Sequence, residues 1–122
     1  MVVSEDGRVY TWGAGYKGKL GHHEEWSHAD PADEPRPRLL KSIDYKVTKV
    51  LAGGIHSGVL DDNGNLYTFG CGSDGRIGHP ESSDHRYLYR EGTPRKIESL
   101  ADMHIIDASF SYYQNICVGY KK

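Results

Sequence analysis

Cysteine is nearly absent from this chain. Only Cys71 and Cys117 stand among its 122 residues, too few for a disulfide framework. That scarcity points to a reducing, intracellular setting, cytoplasmic or nuclear, with the organelle left open. Proline is sparse as well, at five residues, which excludes a collagen-like or proline-rich disordered chain. No apolar run approaches the ~20 residues of a membrane-spanning helix. The opening Met1-Val2-Val3-Ser4-Glu5-Asp6 has neither the basic region nor the apolar stretch of a signal peptide. Charge of one sign is missing too. Fifteen basic and seventeen acidic residues leave a net charge of −2, which argues against a strongly basic nucleic-acid binder.

Glycine is what the chain has in excess. Fifteen of 122 residues are glycine, against roughly 7% in average usage. With nine tyrosines, this predicts a turn-rich β protein. The length alone allows one small domain.

The glycines are organised by an internal repeat. Gly7-Arg8-Val9-Tyr10-Thr11-Trp12-Gly13 aligns with Gly64-Asn65-Leu66-Tyr67-Thr68-Phe69-Gly70, an offset of 57. Gly15, Gly18, Gly21 and His22 then fall on Gly72, Gly75, Gly78 and His79. Near the end the offset becomes 58, placing Val50 over Ala108 and His56 over Gln114. One residue inserted between about Ile97 and Ala108 explains the slip.

Within each copy, Asp6-Gly7 and Asn63-Gly64 supply the positive φ that hairpin turns require. Period-two alternation in Val9 to Trp12 and Leu66 to Phe69 is the strand signal. The glycine runs forbid helix, since each internal glycine costs about 1 kcal/mol relative to alanine. Leu20 and Ile77 are expected to plug these loops onto the core. Further strands are expected at Pro37 to Leu40, Val47 to Leu51, Pro94 to Ile97 and His104 to Ala108, and one helical turn from Glu98 to Met103. A repeated four-stranded antiparallel sheet is the pattern of a propeller blade.

Glu5-Asp6-Gly7-Arg8-Val9-Tyr10-Thr11-Trp12-Gly13, followed by Gly15, Gly18 and Leu20-Gly21, resembles the repeat of the regulator of chromosome condensation family. Val47 to Ser57, with Ala52-Gly53-Gly54-Ile55-His56, is similar to that family's second motif. The resemblance covers nearly the whole chain as about two repeats. It implies a seven-bladed propeller and a role in protein–protein contact, including guanine-nucleotide exchange on a small GTPase in some members. Two features depart from the family pattern. Ser111-Tyr112-Tyr113-Gln114 stands where the first copy has Gly53-Gly54-Ile55-His56, which predicts a looser turn. Two repeats also fall far short of seven.

The expected fold is therefore all-β: two four-stranded antiparallel blades, an incomplete propeller. Residues 1–60 form the first repeat, entering mid-blade, and 61–122 the second, as one structural unit. Two blades leave two open apolar faces, because about three stacked repeats are usually needed for stability. The shortfall has three resolutions: a fragment of a longer chain, self-association closing a ring of six or eight blades, or burial against other subunits.

Several constellations were candidates for chemistry. His22-His23-Glu24-Glu25-Trp26-Ser27-His28-Ala29-Asp30 is rich in metal-ligating types, but its spacing matches no zinc pattern. It reads as a solvated insertion loop, and no metal is assigned. Gly13-Ala14-Gly15-Tyr16-Lys17-Gly18 fits a dinucleotide motif only formally, because no helix follows. No cofactor is expected. His22 and His79 read as structural groups bonding a loop carbonyl, and His56 as a partly buried imidazole held by a backbone group. Cys71 reads as a small packed residue and Cys117 as part of a buried strand. Asp84 to Arg90 interleaves arginine and tyrosine, a composition shared by protein interfaces and single-strand nucleic-acid sites; the charge balance favours protein. The partner-binding candidates are Tyr16, Trp26, Arg86, Tyr87, Tyr89 and Arg90. The structural repeat positions are Gly13, Gly15, Gly18, Gly21, Gly70, Gly72, Gly75, Gly78 and His56. The expected function is a non-catalytic interaction or scaffold module. Exchange on a small GTPase and a structural subunit of a large complex are the alternatives.

Overall fold

The computed structural model describes residues 1–22, 31–80 and 89–122. Among these described residues nine strands follow one another: β1 (Val2–Val3), β2 (Val9–Gly13), β3 (Glu34–Leu39), β4 (Val47–Ala52), β5 (His56–Asp61), β6 (Leu66–Cys71), β7 (Arg90–Lys96), β8 (Met103–Phe110) and β9 (Asn115–Lys121). All pairings are antiparallel, in sheets ordered β1-β2-β3, β4-β5-β6-β7 and β8-β9. A 3-10 turn at Glu98–Leu100 occupies the expected helical position.

The fold is all-β, as the repeat implied, but the strands are apportioned three, four and two rather than four and four. The reason is phase. The repeat boundary at residue 60 falls at the β5–β6 hairpin, so the complete middle sheet takes strands from both copies. The repeat itself is preserved in detail. A β-bulge interrupts β2 between Thr11 and Gly13 and β6 between Thr68 and Gly70. Another interrupts β4 between Val47 and Lys49 and β8 between Ile105 and Asp107.

Each hairpin turn is built by local chemistry. Gly64 takes a φ of 81°, and its N–H donates to the Asp61 carbonyl at 3.3 Å. The Asp61 carboxylate also accepts the N–H groups of Asn63 and Asn65, each at 2.9 Å. This is the aspartate-centred turn that such residues favour. The β8–β9 turn is not looser than its counterpart. The Ser111 N–H donates to the Gln114 carbonyl at 2.9 Å, just as Gly53 N–H donates to the His56 carbonyl at 2.8 Å. Tyrosines are tolerated there because the closing bond involves backbone only.

Two apolar clusters lie between the three sheets. Val9 and Leu40 of the first sheet region pack with Val47, Val59 and Phe69. Leu51, Leu60, Leu66 and Ile97 pack with Ile105 and Ala108 of the third sheet region. The middle sheet is thus covered on both faces, and all six residues of β5 are buried. Equivalent positions in the outer sheets are open. Phe69 is fully buried while its counterpart Trp12 is 39% exposed, and Leu60 is 3% exposed while its counterpart Val118 is 55% exposed. Cys117 lies on a strand as expected but is exposed, whereas Cys71 is buried. The sequence makes β9 as apolar as β5, but no sheet covers it among the described residues.

The same difference gives a mutational test. Leu60→Ala is expected to cost about 2–5 kcal/mol in urea denaturation, the range for a buried leucine. Val118→Ala should stay within about 0.5 kcal/mol. Equal losses at the two positions would contradict the open-face arrangement.

Candidate protein-binding rim

The chain presents one rim on which the β4–β5 and β8–β9 turns meet the long connections that follow β2 and β6. Each connection opens with a glycine run and a 3-10 turn, Tyr16–Gly18 in one and Ser73–Gly75 in the other. Six of the eight repeat glycines have positive φ, from 71° at Gly75 to 107° at Gly13. That region is close to closed to residues bearing a Cβ. The other two, Gly15 and Gly72, are required by contact. A Cβ at Gly15 would strike the carbonyls of Pro31 and Ala32, and one at Gly72 would strike the Tyr89 ring. Lys17 and Asp74 occupy the left-handed region at φ 60° and 61° without being glycine, at a cost of roughly 1–2 kcal/mol each.

A shared lock ties each loop down. Thr11 Oγ1 donates to the Leu20 carbonyl at 2.6 Å, and Thr68 Oγ1 donates to the Ile77 carbonyl at 2.5 Å. A hydroxyl has one proton, so each oxygen then accepts from the Nε2–H of His22 (2.7 Å) or His79 (2.8 Å). The histidines therefore reach the loop carbonyl through threonine rather than directly, donating from Nε2, and burial favours their neutral form. Burial pushes the basicity of both below the ordinary value, aided by Arg38 beside His22 and Arg95 beside His79. Leu20 and Ile77 are buried between their glycines, as expected of plugs.

Between sheets, the loop carbonyl of one repeat is bonded by the next. Ser57 Oγ donates to the Lys19 carbonyl at 2.8 Å, and Asn115 Nδ2 donates to the Arg76 carbonyl at 2.5 Å. Ser57 and Asn115 are equivalent at the 58-residue offset, as Lys19 and Arg76 are at 57. Asn115 Oδ1 also accepts the Nε2–H of His56 at 2.6 Å. His56 is thus fully buried and held by a side chain of the neighbouring sheet, not by a backbone group. Burial pushes its basicity down as well.

The sequence-derived candidates divide in this frame. Tyr16 is 48% exposed on the rim, with the Lys17 ammonium 5.4 Å from its ring centre. Tyr89 and Arg90 are buried instead, at 9% and 6% exposure. Tyr89 packs on Gly72, donates its hydroxyl to Glu91 at 2.9 Å and carries a raised pKa from burial and that carboxylate. Arg90 pairs across from Cys71 in the β6–β7 ladder. These two residues fasten the end of the second connection. Trp26, Arg86, Tyr87 and all but His22 of the His22–Asp30 cluster lie outside the described residues.

Sequence reasoning missed Tyr112 and Tyr113. They stand 53% and 60% exposed in the β8–β9 turn, with their rings 4.7 Å apart. The Arg76 guanidinium lies beneath, 5.9 Å and 4.6 Å from their ring centres. Arg76 is itself buried, donating to the carbonyls of Ser73 (2.9 Å) and Tyr112 (3.3 Å) and to the Asp74 carboxylate (3.2 Å). It is a pin beneath two outward-facing aromatics. The signal was the Tyr-Tyr pair replacing Gly54-Ile55 at a turn.

A family model described as the regulator of chromosome condensation (RCC1) repeat matches residues 6–60 and 63–118. The mouse (Mus musculus) E3 ubiquitin-protein ligase HERC2 is 38% identical over 108 residues, covering 88% of this chain and 2% of that protein. The mouse RCC1 domain-containing protein 1 is 36% identical over 99 residues, covering 80% of this chain and 22% of that protein. Prp20p of Saccharomyces cerevisiae, whose crystal structure was described with its binding properties to Gsp1p and histones, superposes with a TM-score of 0.80. It is 22% identical, with 98% of this chain and 28% of Prp20p covered; at that identity the likeness shows the fold alone. The chain spans a small part of each of these proteins.

Two buried histidines, His56 and His79, and the half-buried His22 set a pH dependence. The unfolded chain takes up their protons near the ordinary value of 6.5, while the folded chain resists. The unfolded state then binds more protons as pH falls through that value, so stability drops. Thermal melts should show a lower Tm at pH 5.5 than at pH 7.5. The double variant His22→Gln/His79→Gln should show a shallower decline. An unchanged decline in the variant would contradict the neutral lock.

Proposed function

Because the chain belongs to the RCC1 repeat family, we propose that it is a protein-binding module of propeller-type blades, acting by recognition rather than catalysis. The observation that carries this reading is the rim. Tyr16 stands exposed in the connection after β2, and Tyr112 and Tyr113 stand exposed in the β8–β9 turn. Exposed tyrosine on a rigid base is the composition enriched at protein interfaces. Loop insertions on one face of a repeat array often form its binding face. In the sequence, the segments 23–30 and 81–88 of these insertions hold Trp26, Arg86 and Tyr87.

Among the described residues, three histidines and one cysteine suited to acid–base or nucleophilic work are otherwise engaged. His22, His56 and His79 are each held in a buried or half-buried hydrogen bond. Cys71 is buried, with its thiol directed at Ser73 Oγ at 3.4 Å. The partners named for Prp20p are proteins, which agrees with a recognition role. Exchange on a small GTPase and service as a subunit of a larger assembly are narrower forms of the same role. Both cysteines are free thiols, which suits a reducing compartment, cytoplasmic or nuclear. No helix of the described residues is long and apolar enough to cross a membrane.

The test is replacement of residues 23–30 and 81–88 by Gly-Ser segments of equal length. Proteins retained on the immobilised chain, quantified by mass spectrometry, should fall at least tenfold with the thermal melt unchanged. Equal retention would overturn the rim as the binding face. Accelerated nucleotide release from a small GTPase would replace the scaffold reading with an exchange factor.

A further inference from the structure

The two repeats carry the same ion pair but offer it different company. β3 and β7 are equivalent at the 57-residue offset, so Glu34 and Arg38 correspond to Glu91 and Arg95, and Ala32 corresponds to Tyr89. Arg38 Nη1 donates to Glu34 Oε1 at 2.6 Å, and Arg95 Nη1 donates to Glu91 Oε1 at 2.7 Å. In the second repeat this pair receives a phenol. The Tyr89 hydroxyl donates to Glu91 Oε1 at 2.9 Å and accepts from Arg95 Nη1 at 3.4 Å. In the first repeat Ala32 supplies no hydroxyl. The Glu34 and Arg38 side chains hydrogen-bond only each other among the described residues.

Beside that first pair is a cavity of about 300 Å³. Leu20, Pro31 and Ala32 give it an apolar lining, and His22, Glu34 and Arg38 give it polar groups. All of its lining residues fall between Gly18 and Arg38, inside the first repeat. The volume is at the lower end of the range for ligand pockets, roughly 300–1,000 Å³, which is room for one side chain. An apolar body with a hydroxyl at its tip matches this lining. Tyrosine has that form and is a frequent anchor of protein interfaces. The way in differs from the second repeat. The Tyr89 ring rests on Gly72, whereas the carbonyls of Pro31 and Ala32 crowd Gly15. Ala32 and Arg38 are exposed, so a side chain reaches the pair from solvent, past the 31–32 backbone rather than over Gly15.

We propose that this cavity receives a tyrosine side chain of a partner protein, its hydroxyl bonded to Glu34 and Arg38 as that of Tyr89 is bonded to Glu91 and Arg95. The assignment rests on the reading of the chain as a protein-binding module and names the group that the partner presents. The second repeat carries its tyrosine in its own strand, and the first leaves the equivalent pair open to one from outside. The site belongs to the rim, because the 3-10 turn that exposes Tyr16 ends at Gly18 of the cavity lining. Selectivity follows from the pair. A phenol donates to the carboxylate and accepts from the guanidinium at once. Phenylalanine does neither, and a site built to bond a hydroxyl rejects the analogue that lacks it.

The probe is p-cresol, the tyrosine side chain as a free molecule, with toluene as its analogue without the hydroxyl. Titrated into the isotope-labelled chain and read by NMR, p-cresol should shift the amides of Gly18, Gly21, His22 and Ala32 saturably. Toluene at equal concentration should leave at least tenfold less bound. Glu34→Leu should bring p-cresol down to the level of toluene. Ala32→Tyr places the second repeat's residue at the equivalent position, and it should abolish p-cresol binding with a Tm at or above that of the wild-type chain. Absence of saturable shifts, equal binding of the two probes, or shifts that persist in Ala32→Tyr would each overturn the tyrosine site. Binding seen only after Trp26→Ala would overturn the partner as occupant in favour of the chain's own segment 23–30. Protein retention on the immobilised chain is scored separately, so failure here leaves the module reading to its own test. Should Ala32→Tyr fail to fold, the two probes on the wild-type chain and on Glu34→Leu decide alone.

Discussion

The structure depends on one constraint: a sheet apolar on both faces must have another sheet on each side. The middle sheet meets it, with Phe69 and Val59 turned toward the first sheet and Leu60 and Leu66 toward the third. A buried leucine or phenylalanine side chain contributes about 1.5–3 kcal/mol of transfer free energy, so these two seams hold most of the stabilising area. Among the described residues, the outer sheets carry the same pattern with one face uncovered. Stability is accordingly concentrated at the centre and falls toward both ends, as expected of a stack in which each repeat contacts only its neighbours.

Hydrophobic area alone would let the sheets slide, and polar bonds at the two ends of each seam fix their position. At one end the hairpin carbonyl of Gly7 or Gly64 accepts the N–H of Val47 or Ile105, at 3.1 Å and 2.9 Å. At the other, Ser57 or Asn115 bonds the loop carbonyl of Lys19 or Arg76. The threonine–histidine lock then holds that loop in the shape that presents the carbonyl. The glycines serve the same end, because the loop must curl under the returning chain at Gly15 and Gly72. Architecture and recognition are coupled here. The loops that latch one sheet to the next also carry Tyr16 and, through Arg76, underlie Tyr112 and Tyr113 of the β8–β9 turn.

Much of this was legible in the sequence. The 57-residue recurrence located the hairpins, the glycine loops and the plugs Leu20 and Ile77, because turn chemistry and positive φ leave local marks. What was not legible depended on contacts distant in the chain. His56 and Asn115 are 59 residues apart, and no local pattern announces their bond. Tyr89 and Arg90 resemble interface residues in composition, yet the ladder to β6 and the gap above Gly72 draw them inward. Cys117 sits in a strand pattern that reads as buried, but burial depends on a neighbouring sheet rather than on the strand itself. Tyr112 and Tyr113 were visible as a departure from the first repeat, and only the position of Arg76 gave that departure a meaning.

Hydrogen exchange on dilute protein, read strand by strand, tests the central claim most directly. If stability resides in the doubly covered middle sheet, amides of β5 and β6 exchange only through global opening, while those of β9 exchange much faster through local fraying. Protection of β9 equal to that of β5 at the lowest concentration would contradict the account.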